Sequence, residues 1–72
     1  MNGLIVARGT NEYEEPWTIL RNGENLFHEV SPQNLVEEAY WWLKDEEYDW
    51  LLRGYHEWAD LKPGEVWLKE AG

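Results

Sequence analysis

Cysteine does not occur among the 72 residues. Its absence excludes disulfides, thiolate metal sites and thiol nucleophiles. Small extracellular domains generally rely on covalent staples, so a cytoplasmic location is expected. Basic residues are scarce: 6 Lys+Arg stand against 15 Asp+Glu, a net charge of −9. Direct binding to nucleic acid needs cations to neutralise phosphate, so it is not expected here. Anionic membrane surfaces are disfavoured for the same reason. No apolar run approaches the ~20 residues of a membrane-spanning helix. The opening Met1-Asn2-Gly3-Leu4-Ile5-Val6-Ala7-Arg8 has no basic stretch of the kind that starts a secretory signal. Ser31 is the only serine, and His28 and His56 are the only histidines. No glycine-rich phosphate loop or nucleophile motif is present. The expectation is a single domain that is not an enzyme and carries no cofactor.

Aromatic side chains are what the sequence has in excess: six Trp, four Tyr and one Phe. Disordered acidic segments are poor in such residues. The mean hydropathy of −0.74 therefore belongs to a folded domain with a polar surface. Each buried aromatic removes on the order of 150–250 Å² from water, which a chain this short needs for its core.

Residues 3–8 read as a buried strand, residues 9–15 as a polar loop and residues 17–21 as a second strand opened by Pro16. Asn22-Gly23 tolerates positive φ and marks a hairpin, with Glu24 to Val30 as the return strand. Two registers are open, one pairing Ile19 with Leu26 and one pairing Leu20 with Phe27 through a four-residue loop. Ser31-Pro32 is a helix start, the hydroxyl capping a free N–H and the proline losing no bond. The first helix presents Leu35, Val36, Ala39, Tyr40, Trp42 and Leu43 on one stripe. Continuing it would bury Glu47, which an unpaired carboxylate resists. A break near Lys44–Asp45 follows, with Asp45 capping a second helix. Its stripe is Tyr48, Leu51, Leu52, Tyr55, Trp58 and Ala59, interrupted by Gly54 without being broken. Pro63-Gly64 turns the chain into a closing strand, Glu65 to Lys69. The fold class is α+β, a small antiparallel sheet in β-β-β-α-α-β or β-β-α-α-β order, with two helices on one face.

His56 and Asp60, four apart, share a helix face as two metal ligands would. A third ligand is not evident, and hydrolytic zinc needs three, so the pair reads as a solvated face. More informative is the acidic excess of the helical half. Glu37, Glu38, Asp45, Glu46, Glu47, Asp49, Glu57 and Asp60 face only Lys44 and Arg53, so this segment holds −6 of the charge. Solvation explains several of these carboxylates. It does not explain the imbalance, because excess like charge destabilises a compact state. Trp41 and Trp50 fall on the polar sides of their helices among these acids. A Trp in that place either packs on another element or anchors a partner. Tyr13, between Glu12 and Glu14, repeats the pattern. Glu37, Glu38, Trp41, Asp45, Glu46, Asp49 and Trp50 are the candidate partner-binding residues. Their chemistry suits a basic protein surface, since Arg and Lys pair with carboxylates and stack on indoles. Such surfaces are commonly grooves for nucleic acid. The expected partner is a host protein or ribonucleoprotein with a basic groove, bound by a monomer or weak dimer. Alternatives are an immunity-type protein neutralising a basic effector, and an aromatic-lined module for a small ligand.

The ending Leu61-Lys62-Pro63-Gly64-Glu65-Val66-Trp67-Leu68, with the small acidic cysteine-free chain and its strand and helix order, resembles the small type I-F anti-CRISPR proteins encoded by phages. The resemblance implies a β-β-α-α-β outline. It also implies that carboxylates bind a DNA- or guide-recognising surface of the CRISPR surveillance complex. The richness in Trp departs from that family, and no family residue transfers to a position here.

Overall fold

Alternating apolar side chains at Leu4, Val6 and Leu20 give the sheet one face that water does not reach. In the computed structural model, which describes residues 3–23 and 25–70, four antiparallel strands form one sheet. They are β1 (Gly3–Thr10), β2 (Pro16–Asn22), β3 (Asn25–Glu29) and β4 (Val66–Glu70), in the order β3-β2-β1-β4. Helices α1 (Pro32–Ala39), α2 (Asp45–Arg53) and α3 (Tyr55–Trp58) lie between β3 and β4 in the chain. The fold class is α+β, as the sequence indicated, with three helical pieces rather than two. Glu24, expected to begin the third strand, lies outside the described residues.

β1 runs two residues further than expected because the turn after it is tighter. Asn11 Oδ1 accepts from the Tyr13 and Glu15 amides, both at 2.9 Å. That Asx turn lets the strands pair out to Thr10 opposite Pro16. At the hairpin, Leu20 stands opposite Phe27 and the pairing continues to Asn22 opposite Asn25. Gly23 takes φ +60°, the left-handed region that favours glycine.

Ser31 caps α1 as expected, its Oγ accepting from the Asn34 amide at 3.2 Å, with Pro32 opening the helix. The helix ends at Ala39, so Tyr40 leaves the stripe and is 61% exposed, against expectation. Trp42 and Leu43 still reach inward through the turn, Trp42 stacking on Phe27 with ring centroids 3.5 Å apart. The break before α2 is where charge demanded it, but Asp45 is not the cap. Lys44 holds that position, and Glu47 reaches back to accept from the Lys44 amide at 3.1 Å. Leu52, placed on the second stripe, is exposed.

The core joins Leu4, Val6 and Leu20 of the sheet to Leu35, Ala39, Leu43, Leu51 and Trp58 of the helix layer. Trp58 is fully buried, and its Nε1–H donates to the Leu51 carbonyl at 2.8 Å. Arg8 shares the covered side of β1, where sequence reading gave it no role. Its Nη2 donates to the Ala59 carbonyl at 3.1 Å, just past α3. The end of a helix attracts positive charge, and Arg8 makes no ion pair among the described residues.

Gly54 separates α2 from α3, so the second helix is divided where the sequence suggested only an interruption. A methyl group there would overlap the indole of Trp67 on β4. Gly54→Ala is therefore expected to cost about 1–3 kcal/mol, as overpacking does, despite alanine's better helix propensity. A urea melt checks this; an unchanged or raised midpoint would show that Trp67 moves aside freely.

Candidate partner-binding surface

The candidate residues fall in two neighbouring places that share Glu46, a groove beside β4 and the corner between α1 and α2. Glu46, Asp49 and Trp50 line a groove of about 500 Å³ beside β4, with Arg53, Glu57, Trp67 and Lys69. Most polar groups in this groove are already engaged. Arg53 Nε lies 2.9 Å from Asp49 Oδ2. Glu57 Oε2 accepts from Trp67 Nε1 at 2.7 Å. Lys69 Nζ sits 5.8 Å from the Trp50 ring centroid, within cation–π reach. Trp50 is half-buried and packs against the core. Of the two outcomes open for this residue, the structure shows intramolecular packing.

The second place is the corner between α1 and α2. Trp41 is 81% exposed there, and Tyr40 meets it edge-on with centroids 5.1 Å apart. Tyr48 packs edge-on against the other side of Tyr40 at 5.6 Å. Glu37 and Glu38 precede this pair on α1, and Asp45 and Glu46 follow it on α2. All four carboxylates are exposed and make no hydrogen bond or ion pair with another described residue. Tyr40 belongs to this group although sequence reading assigned it to the core. A signal was available: Tyr40, Trp41 and Trp42 are consecutive and cannot share one helix face at 100° per residue.

The helix dipoles distinguish these carboxylates further. Asp45 and Glu46 lie in the first turn of α2, where the positive end of the helix favours them. Glu37 and Glu38 lie in the last turn of α1, which has no basic residue. Negative charge at that end costs about 0.3–1 kcal/mol per group. Fold stability therefore explains Asp45 and Glu46 but not Glu37 and Glu38.

A separate hollow of about 410 Å³ lies at one end of the sheet, lined by Tyr13, Trp17 and His28 among others. Asn11, a polar group on its wall, is occupied: Oδ1 accepts two turn amides and Nδ2 donates to Glu15 at 3.1 Å. Glu12 and His28 also line it, and the buried Trp17 Nε1–H there has no hydrogen-bond partner among the described residues. Among the described residues no three His, Asp or Glu side chains gather as metal ligands would, and no helix is long and apolar enough to cross a membrane. No known protein family, curated protein or solved structure matches the chain.

Proposed function

We propose that this protein is an inhibitor that docks the corner between α1 and α2 onto a basic, nucleic-acid-binding surface of a partner. Nucleic acid is then excluded by steric and electrostatic competition. The observation that carries the reading is Trp41, 81% exposed and paired with Tyr40 between two sets of unengaged carboxylates. A large exposed aromatic ringed by charge has the composition of an interface anchor. Duplex DNA presents one charge per ~1.7 Å, a density these acids only partly reach, so the mimicry is electrostatic rather than a copy of the duplex. The likeness to phage anti-CRISPR proteins makes a CRISPR surveillance complex the first partner to test. Asp49 and Trp50 play a lesser part in this reading, because their contacts are already made within the chain.

A gel shift, a urea melt and an association rate test it, the first two without a known target. The protein itself is expected not to retard labelled duplex or single-stranded DNA in a gel shift at physiological salt. Retardation at micromolar protein would contradict the mimicry. Glu38→Lys is expected to raise stability by a few tenths of a kcal/mol, by reversing an unfavourable charge at the end of α1. The same change should slow capture of a basic partner, since surface charges steer encounter. A stopped-flow association rate at two salt concentrations, beside a urea melt, reads both signs. Loss of stability in Glu38→Lys would show that the carboxylate serves the fold instead.

A further inference from the structure

We propose that the uncovered face of the sheet is where a second copy of this chain docks, giving a two-fold dimer with both helix layers outside. Side chains alternate along each strand. Leu4, Val6, Thr18 and Leu20 therefore point at the helices, and Ile5, Ala7, Ile19, Leu26, Val66 and Leu68 point away, with exposed His28 and Arg21 beside them opposite Ile19 and Leu26. Leu26, Val66 and Leu68 are each about half exposed, at 49%, 59% and 50%. An antiparallel sheet left open to water normally carries polar residues on that side.

Charge is segregated around this face. Glu29 stands opposite Thr18 and so faces the helices, and Glu65 precedes β4 with its Oε1 accepting from the Lys62 amide in the turn at 2.7 Å. The carboxylates that reach it stand at its rim: Glu70, opposite Gly3, and Glu12, in the hollow with Trp17 and Ile19. In a chain with 15 acidic residues, an apolar face this free of carboxylate is shaped for burial.

The two ends of the face select a copy of the chain as its occupant. Arg21, beside Ile5 and Leu26, marks the hairpin end. Glu12, Glu14 and Glu15, in the turn before β2, mark the opposite end. A two-fold axis lying between the sheets and across the strands reverses strand direction. It places Arg21 of each copy over the acidic turn of the other while apolar residues meet in the middle. Sheets pack about 10 Å apart, and each helix layer adds roughly 10 Å on the far side. The acidic corners then face away from each other, several Debye lengths of ~8 Å apart, which removes their share of the like-charge repulsion and leaves the acidic turns, each under one Arg21, as the charge that meets at the interface.

The size of the face sets the strength. Roughly 25 strand residues at about 16 Å² each cover about 400 Å² per copy. The pair buries about 800 Å², below the ~1,200–2,000 Å² of stable specific interfaces. The dimer is weak and concentration-dependent. This interface lies on the side of the sheet away from Trp41 and stands independently of the proposed inhibition.

Sedimentation equilibrium of the whole chain, from about 10 μM to about 1 mM, the range in which weak association shows, tests the proposal. The average mass is expected to rise toward twice the monomer. Leu26→Lys on β3 and Leu68→Lys on β4 should each hold it at the monomer, because these strands are opposite edges of one face. Leu52→Lys, at an exposed leucine of the helix layer, should dimerise as the unaltered chain does. Arg21→Glu should raise the dissociation constant several-fold, a second route that leaves the apolar face intact. Far-UV circular dichroism establishes that each variant is folded. A mass that stays monomeric throughout would overturn the proposal. So would a dimer lost in Leu68→Lys but kept in Leu26→Lys, which would mean edge pairing through β4.

Discussion

Trp58→Ala is expected to remove roughly 3–5 kcal/mol of stability, the range for deleting a buried Trp or Phe. Trp58 is fully buried, and it ties α3 back to the Leu51 carbonyl of α2. The truncation leaves a cavity beside Leu51 and Tyr55 and also removes that hydrogen bond. Native domains hold ~0.05–0.15 kcal/mol per residue, so a chain of 72 residues stands to lose a large part of its stability. Trp58→Phe keeps most of the packing and loses only the N–H donor, and should cost about half as much or less. Urea melts by far-UV circular dichroism at matched temperature check both. A Trp58→Ala midpoint within error of the unaltered protein would mean that the helix layer closes over the gap, and that the core is not organised around this residue.

Trp41→Ala is expected to do the reverse, leaving stability within about 0.5 kcal/mol, as for exposed sites. It should weaken binding to a basic partner by about 2 kcal/mol or more, the hot-spot range. Its neighbour supplies the contrast. Trp42 stacks on Phe27 and is half-buried, so Trp42→Ala should cost about 2–3 kcal/mol of stability, somewhat below a full core deletion. Two adjacent tryptophans would thus separate, one serving the fold and one the surface. If Trp41→Ala melted as early as Trp42→Ala, Trp41 would be a packing residue.

The sequence made some features legible because their causes are local. Ser31 and Pro32 begin α1 by a hydroxyl and a ring constraint that act within one turn. Gly23 gives the hairpin its left-handed residue. The break before α2 followed from the cost of burying Glu47, although Lys44 rather than Asp45 takes the cap. Features set by distant contacts were not legible. The close approach of Trp67 from β4 to Gly54 is contained in no helical pattern. Arg8 follows Leu4 and Val6 at the alternating positions that face the core, and nothing near it in the sequence names a partner for its charge. Its acceptor, the Ala59 carbonyl, lies across the chain. The site was legible in part. A helical wheel puts Trp41 on the polar side and leaves packing or exposure open; the residue sits in the turn after α1 and is exposed. Tyr40 turns outward for the same reason. Asp49 and Trp50, equal to Trp41 by pattern, are drawn into contacts with Arg53 and Lys69.

The central proposal, that the Trp41 corner competes with nucleic acid for a basic surface, is tested most directly by displacement. The unaltered protein and Trp41→Ala would be immobilised and exposed to a nuclease-treated bacterial lysate, beginning with cells that carry a type I-F CRISPR system. The retained proteins would then be challenged with duplex DNA, and the eluted proteins identified by mass spectrometry. The expected result is that nucleic-acid-binding proteins are retained by the unaltered chain, released by DNA and absent from Trp41→Ala. Retention of the same proteins by both, unaffected by DNA, would contradict it.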